Sequence, residues 1–195
     1  MRIGIDLGTT FSLVGWTNHA GVPTLIPARF DSTSFRTPSV AHLGRLNCCV
    51  GHSAESLLND NAATQLIRWA KMSIDTESSL ARDDIGREWD AAAVSGLILR
   101  KLRMDAESFT STDASSAVIT VPAHFNQIER AATRDAAFYA GLPVDRLIEE
   151  PIAAATYLGL CNPTEERTIL VYDLGGGTFD ATILQSSPEG LFAIA

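Results

Sequence analysis

The hydrophobic and polar residues follow the same pattern in two segments, one at the start of the chain and one near its end. Residues 3–16 read IGIDLGTTFSLVGW, and residues 169–184 read ILVYDLGGGTFDATIL. In each segment an apolar run ends in Asp-Leu-Gly, small residues follow, and apolar residues then occupy alternate positions. Alternation with a period of two is typical of a β-strand. Both segments therefore predict a β-hairpin with a glycine-rich turn.

The first part of the chain between these hairpins has weaker patterns. A third strand is predicted at residues 22–27, a polar connection at 30–38 and weak β-structure at 39–50. Ser53 is a candidate N-cap of a short helix that ends near Leu58, and a second helix is predicted over residues 62–72. Residues 75–87 are polar and charged, which predicts a loop.

The second part of this region alternates between helix and strand patterns. Asp90 is predicted to begin a helix, and Asn126 with Glu129 predicts the capping box of another that ends at Gly141. The first helix has an apolar stripe of Val94, Leu97, Ile98, Leu102 and Phe109. Strands are expected at 117–121 and 147–148, a third helix from Pro151 to about residue 159, and strands at the end of the chain. This order predicts parallel strands with helical crossovers.

The two glycine-rich turns are candidate phosphate-binding loops, because glycine lets backbone amides approach an anion closely. Their residues are Gly8, Thr9, Thr10 and Phe11 in the first turn and Gly175, Gly176, Gly177 and Thr178 in the second. Asp6 and Asp173 end the preceding strands and would repel a phosphate, but they suit Mg²⁺ held through its waters. The alternative is a pair of tight turns without a ligand, in which the aspartates cap loop amides.

The segment after each turn decides between classes of nucleotide fold. Dinucleotide-binding loops and P-loops are followed by a helix, whereas both turns here are followed by a strand pattern. The chain contains neither GxGxxG nor GxxxxGK[ST]. Two hairpin turns that hold one phosphate chain from two sides are typical of the actin-like ATPases.

Composition narrows the class of protein further. The 195 residues carry a net charge of −8 without a basic stretch, which argues against nucleic acid as a partner. No signal segment and no run of about 18 apolar residues is present, so we expect a cytoplasmic protein with no membrane partner. Three cysteines predict reduced thiols, and the four scattered histidines give no transition-metal motif.

Four motifs in this order resemble the DnaK-type (seventy-kilodalton) heat-shock chaperones over nearly the whole chain. They are DLGTT at 6–10, VPAHFN at 121–126, EEPIAAA at 149–155 and DLGGGTFD at 173–180. The resemblance implies an α/β, actin-like ATPase (ribonuclease-H-like) fold, with the first lobe followed by the opening strands of the second. It divides the chain into a core subdomain at 1–38 and 90–163, a shortened outer subdomain at 39–89, and a truncated second lobe at 164–195.

The resemblance also assigns roles to individual residues. Lys71, one of only two lysines among 15 basic residues, lies where the family places the lysine that reaches the γ-phosphate. Glu150 takes the position of the catalytic acid, and Asp180 that of an acid that orders the attacking water. The catalytic set further includes Asp173 and Thr178. The alternatives are a solvated helix lysine for Lys71 and an exposed strand residue for Asp180, and Lys101 is expected at the surface.

Three more positions near these motifs carry a role or depart from the family. Pro122 and Arg130 match a relay between the nucleotide and a peptide-binding domain, although a strand stop and a surface cation would also explain them. Glu149 replaces an amide, so its charge either lies near the site or faces solvent. The stretch between Lys71 and Trp89 is short for the family and resembles an HscC-like branch.

The function implied by the resemblance is hydrolysis of ATP to ADP with Mg²⁺, and with K⁺ as a further candidate cation, by in-line attack of water. In the family this reaction controls peptide binding by a C-terminal domain. Implied partners are that domain, unfolded polypeptide, a J-domain co-chaperone and a nucleotide exchange factor. We expect the 195-residue chain alone to be inactive. Two alternatives remain, a sugar or acetate kinase and a non-catalytic nucleotide-binding module.

Overall fold

A computed structural model describes residues 1–28, 33–44, 48–59, 66–75, 78–160, 166–188 and 190–194. The strands, in chain order, are β1 Arg2–Asp6, β2 Phe11–Thr17, β3 Pro23–Leu25, β4 Thr37–Pro38, β5 Val40–Leu43, β6 Cys48–Val50, β7 Leu66–Arg68, β8 Ala81–Arg82, β9 Glu88–Trp89, β10 Ser116–Val121, β11 Val144–Glu149, β12 Arg167–Leu174, β13 Phe179–Ser187 and β14 Gly190–Ala193. The helices are α1 His52–Glu55, α2 Ala91–Thr110, α3 Gln127–Tyr139 and α4 Glu150–Tyr157. Short 3₁₀ turns span Ser56–Asn59 and Ala70–Ser73.

The largest sheet has the strand order β11-β10-β1-β2-β3, and β4 pairs with the first two residues of β2, Phe11 and Ser12. Strands β1, β10 and β11 are parallel, whereas β2 and β3 are antiparallel to their neighbours. The predicted hairpin and parallel crossovers are therefore confirmed. Since β1 and β10 end at the same edge of the sheet, the turn after β1 and the loop after β10 lie side by side.

Helices α2 and α3 pack against each other, and the core lies between them and the main sheet. The strands contribute Ile3, Ile5, Val14, Ala117 and Ile119 to the buried cluster, and the helices contribute Val94, Ile98, Leu99, Leu102, Ala136 and Ala137. A Cβ on Gly96 of α2 would lie only 2.9 Å from the carbonyl oxygen of Ala136, so a larger residue would push the helices apart.

The predicted starts of α2 and α3 are confirmed in detail. The Asp90 side chain accepts a hydrogen bond from the amide of Ala93. Asn126 and Glu129 form the reciprocal capping box, and Gly141 has a φ of 65° after the end of α3. The predicted apolar stripe of α2 is correct except at Phe109, which is exposed near the end of the helix.

The prediction of a helix over residues 62–72 is wrong for the part that lies within the described residues. Leu66–Arg68 is strand β7, which pairs with β5, and a 3₁₀ turn follows. Trp69 between them has a φ of 58°, a left-handed conformation that a continuous α-helix cannot contain. Residues 62–65 lie outside the described residues, as do residues 30–32 of the predicted connection.

Two smaller predictions in this region are also corrected. The N-cap of α1 is Gly51 and not Ser53, and the α-helix ends at Glu55 before a 3₁₀ turn. Residues 75–87 are not only loop, because β8 and β9 form a short hairpin around the turn that contains Asp83.

The remaining strands form a separate three-stranded sheet of order β12-β13-β14. The hairpin of β12 and β13 is the one predicted from the second glycine-rich segment. Several large apolar side chains of this sheet are exposed, namely Leu170, Tyr172, Leu174, Phe179, Phe192 and Ile194. Among the helices of the described residues, none has the length and apolar content needed to cross a membrane.

Asp83 organises the turn between β8 and β9. Its side chain is fully buried and accepts hydrogen bonds from Arg87, Trp89 and the Ile85 amide. Burial raises the pKa of this carboxyl, but the donors together outweigh burial and lower the pKa to about 2.

We therefore expect Asp83 to stabilise the protein above the pKa of about 3.9 that a free aspartate has, and to lose this effect as the pH falls from about 4 to about 2. Asp83→Asn should lower the melting temperature at pH 6, and the difference from the parent protein should shrink across that acid window. Thermal unfolding monitored at half-unit steps of pH measures both curves. A difference that stayed constant down to pH 2 would contradict this role of the carboxylate.

Candidate active site

A cleft of about 1420 Å³ opens where the glycine-rich turns face the loop after β10 and the start of α4. The sequence-predicted residues that line it are Asp6, Gly8, Thr9, Thr10, Phe11, Lys71, Pro122, Glu150, Asp173, Gly175, Gly176, Thr178 and Asp180. Gly177 is not among the lining residues, and the position that its Cβ would take lies 3.4 Å from Cγ2 of Thr9. Arg130 is not among the lining residues.

The two glycine-rich turns touch each other. A Cβ on Gly176 would lie 2.6 Å from the Thr10 hydroxyl oxygen, so only glycine allows this approach. A Cβ on Gly8 would lie 2.0 Å from the carbonyl oxygen of Phe11, which requires glycine for the turn itself. Both turns therefore depend on missing side chains, as the sequence predicted for a site where backbone approaches a ligand.

Two serines outside the predicted site hold the first turn. The Gly8 amide donates to the hydroxyl of Ser12 at 3.2 Å, and Ser39 donates to the Gly8 carbonyl at 2.7 Å. The hydroxyls of Ser12 and Ser39 are 2.9 Å apart, and both residues are buried. The sequence analysis missed them because serine is common and Ser39 is distant along the chain.

The Thr10 hydroxyl is buried and has no hydrogen-bond partner among the described residues. Buried polar atoms without a partner are uncommon in folded proteins, because losing water without a replacement costs free energy. This hydroxyl lies where the two turns meet and is therefore available to a ligand bound between them.

Lys71 and Glu150 form an ion pair across the cleft, with 2.6 Å between Nζ and Oε1. The Lys71 side chain is only 9% exposed, and its ammonium lies 5.8 Å from the centre of the Phe125 ring. Lys71 is therefore not a solvated surface residue. Lys101, which was expected at the surface, also proves to be largely buried, because it pairs with the buried Asp105 one turn along α2.

The pKa of Glu150 depends on burial and on the charges of its neighbours in this cleft. Burial raises the pKa of the Glu150 carboxyl, and the ammonium of Lys71 lowers it without offsetting the burial. The charges of Asp6 and Asp173 raise the Glu150 pKa further, so these acids lie close enough to interact. Asp6 also accepts a hydrogen bond from the Thr120 hydroxyl at 2.9 Å.

Asp180 lies on β13 directly opposite Asp173 on β12. Its Oδ1 is 3.2 Å from Nδ1 of His124, which belongs to the loop between β10 and α3. The sequence analysis quoted His124 within a motif but gave it no role, because nothing local along the chain indicates a partner so distant.

Glu149 points away from the cleft, and its position resolves the question left open by the sequence. Arg130 donates to Glu149 Oε1 at 3.0 Å and to the Phe125 carbonyl at 2.9 Å. Glu149 is thus neither an extra charge in the cleft nor a fully solvated side chain, since it joins the end of β11 to α3. The adjacent carboxylates Glu149 and Glu150 have different basic partners on different sides of the backbone.

The fold and the cleft define a mixed α/β protein in which two glycine-rich hairpin turns face a lysine–glutamate pair. The family described as Hsp70 protein matches residues 70–195. The chain is 40% identical to the chaperone protein DnaK of Thermotoga neapolitana over 190 residues, which cover 94% of this chain and 30% of that protein. It is also 40% identical to the chaperone protein DnaK of Thermotoga petrophila over 199 residues, which cover 98% of this chain and 31% of the relative.

The chain therefore belongs to the Hsp70 family. It spans less than a third of the length of these relatives. The membership predicted from the four motifs is confirmed.

Proposed function

We propose that the whole protein is a molecular chaperone that hydrolyses ATP in this cleft and uses the nucleotide state to control its binding of unfolded polypeptide. The observation that carries the proposal is the Lys71–Glu150 pair facing two touching glycine-rich turns. Phosphoryl transfer to water depends mainly on positioning and charge neutralisation, and this arrangement offers both.

The residues present fit a phosphate chain with a magnesium ion. The Thr10 hydroxyl lacks a partner, and the missing Cβ atoms of Gly8 and Gly176 bring backbone close to the space between the turns. Thr9, Phe11, Gly175, Gly177 and Thr178 would complete this grip. Asp6 and Asp173 would hold Mg²⁺ through its waters, and the ion would neutralise phosphate charge. K⁺ is a second candidate cation for the same acidic cleft.

Three side chains of the cleft would take part in the hydrolysis itself. The Lys71 ammonium would stabilise negative charge that develops on the γ-phosphoryl oxygens. Glu150 and Asp180 would accept hydrogen bonds from the attacking water and align it with the phosphorus atom. The pKa of Glu150 is raised toward neutral pH, and a proton acceptor is most effective when its pKa is close to the pH of the reaction.

The proposal includes the division of the chain into lobes of an actin-like ATPase. Residues 1–38 and 90–163 would form the core subdomain of the first lobe, residues 39–89 a small outer subdomain, and residues 164–195 the start of the second lobe. Pro122, which lines the cleft, and Arg130, which contacts Glu149, would relay the nucleotide state to a peptide-binding domain. We place the protein in the cytoplasm, with a J-domain co-chaperone and a nucleotide exchange factor as partners.

The test is ATP turnover by the full-length protein, measured with and without Mg²⁺ and with and without an unfolded polypeptide. We expect slow hydrolysis that requires Mg²⁺ and changes with polypeptide. Addition of a panel of sugars and of acetate examines the kinase alternative, because a kinase would transfer phosphate to one of them. Tight ATP binding without any hydrolysis would instead favour the non-catalytic module.

A further inference from the structure

His124 connects the main sheet to the sheet of β12, β13 and β14 at the edge of the cleft. The residue follows β10, and its Nδ1 lies 3.2 Å from Oδ1 of Asp180 on β13. Both residues line the cleft. The contact therefore joins the loop before α3 to the second glycine-rich hairpin.

The imidazole of His124 is supported from behind by an aromatic ring. The rings of His124 and Phe125 meet edge to face, with 5.6 Å between their centres. Phe125 is buried, and its ring also lies beneath the Lys71 ammonium. Because the supporting ring is fixed by the core, the imidazole has a defined place beside Asp180 although the His124 side chain is 60% exposed.

A basic neighbour would offset the negative charge around Asp180. Asp180 lies directly opposite Asp173 in the β12–β13 hairpin, and like charges at opposite positions repel. The other charged groups that line the cleft are the acids Asp6, Glu129 and Glu150 and the base Lys71, which is paired with Glu150. Of the described side chains, His124 is the one that the structure places in ion-pair distance of Asp180.

We propose that His124 is a positioning residue for ATP hydrolysis, whose Nδ1 contacts Asp180 and fixes the carboxylate that orients the attacking water. The inference rests on the proposed function. It adds a residue that acts through Asp180 without touching the nucleotide.

Three variants of the full-length protein test this role. The amide nitrogen of asparagine lies near the place of histidine Nδ1, whereas glutamine carries its amide one carbon further out. We expect His124→Ala to lower kcat by about tenfold and to leave the KM for ATP within about twofold, since the lost contact with the Asp180 carboxylate affects the attacking water and not the bound nucleotide. His124→Asn should recover most of kcat, and His124→Gln should resemble alanine. If His124 only filled space, glutamine would replace it better than asparagine. A higher kcat for His124→Gln than for His124→Asn would therefore overturn the proposal.

The same measurements in an Asp180→Asn background test whether His124 acts through Asp180. There His124→Ala should add less than about a twofold loss of kcat, because the group that it positions is already changed. A full tenfold additional loss would overturn the proposal. The matched control is His19→Asn, since His19 is an exposed histidine against Trp16 and does not line the cleft.

Failure of this inference differs from failure of the proposed function. Absence of Mg²⁺-dependent ATP hydrolysis in the parent protein would refute the function itself. An active parent protein in which all His124 variants keep the parental kcat would refute only the positioning role. An Asp180→Asn variant with normal turnover would refute both that role and the part proposed for Asp180, but not ATP hydrolysis as the function.

Discussion

We expect Lys71→Met to lower the turnover of ATP by the full-length protein at least about a hundredfold, or about 2.7 kcal/mol in the activation barrier. The affinity for Mg²⁺–ATP should stay within about tenfold, or 1.4 kcal/mol. In the proposed function the ammonium would act mainly on charge that develops during transfer, so its loss should affect the rate more than binding. Single-turnover hydrolysis and calorimetry measure the two quantities separately.

Lys71→Arg should not restore the rate. The space around the ammonium is confined by Glu150 and by the ring of Phe125, and a planar guanidinium requires a different geometry from a compact ammonium. Loss of the Lys71 charge also removes the influence that lowers the pKa of Glu150. The pKa of Glu150 should therefore rise, and the acid limb of the pH–rate profile should move to higher pH in the methionine variant.

The control for this experiment follows from the structure. Lys101→Met was the natural choice from sequence, but it would remove the ammonium that pairs with the buried carboxylate of Asp105 and would destabilise α2. Arg68→Met is a better control, because Arg68 is exposed on β7 close to Lys71 and does not line the cleft. A Lys71→Met variant with the turnover of the Arg68 control would move the catalytic role to Glu150 and Asp180.

Gly8→Ala should be the most damaging single-methyl change in the first turn. Its Cβ would lie 2.0 Å from the carbonyl oxygen of Phe11, which belongs to a paired strand and cannot move without distorting β2 and β4. We expect a loss of about 3 kcal/mol in the free energy of unfolding and a loss of more than about tenfold in Mg²⁺–ATP affinity. Urea unfolding and calorimetry measure the two effects.

Gly4→Ala is the matched control for stability. Apart from Gly4 itself and its two neighbours in the chain, the described residues place no heavy atom within 4 Å of the position that its Cβ would take, although Gly4 belongs to the adjacent strand β1. We expect this substitution to change the free energy of unfolding by less than about 1 kcal/mol, and in the stabilising direction if at all. Equal losses for both glycines would mean that the close approach to Phe11 does not limit the turn.

Predictions from sequence succeeded where the determining interactions are local. The capping side chains Asp90 and Asn126 lie within a few residues of the amides that they bind, so the starts of α2 and α3 could be recognised directly. The same holds for the glycine-rich turns, where two or three neighbouring residues define the conformation. The family motifs then indicated that both turns are candidates for binding a ligand.

Predictions failed where partners are distant along the chain. Leu66–Arg68 has an apolar content that also suits a helix, and its strand conformation depends on pairing with β5. The sequence also did not predict the partners of Glu149 and Lys101, because a sequence pattern does not indicate which charged side chains form ion pairs in the fold. The family resemblance placed Lys71 and Glu150 in the same site but did not predict that they pair, since the two residues come from separate elements.

The neighbouring acids at the end of β11 have a consequence for strand register. A slip of one residue along β10 that placed Glu149 beside Lys71 would place Ile148, and not Glu150, beside Arg130. Lys71 would still meet an acid, so the pair at Lys71 alone does not distinguish the two registers. Leu147 does, because it packs against the core, and the same slip would put the exposed Arg146 in its place. The carboxylate that reaches Lys71 is thus selected by Leu147 and by the Arg130–Glu149 pair, and none of these residues lines the cleft.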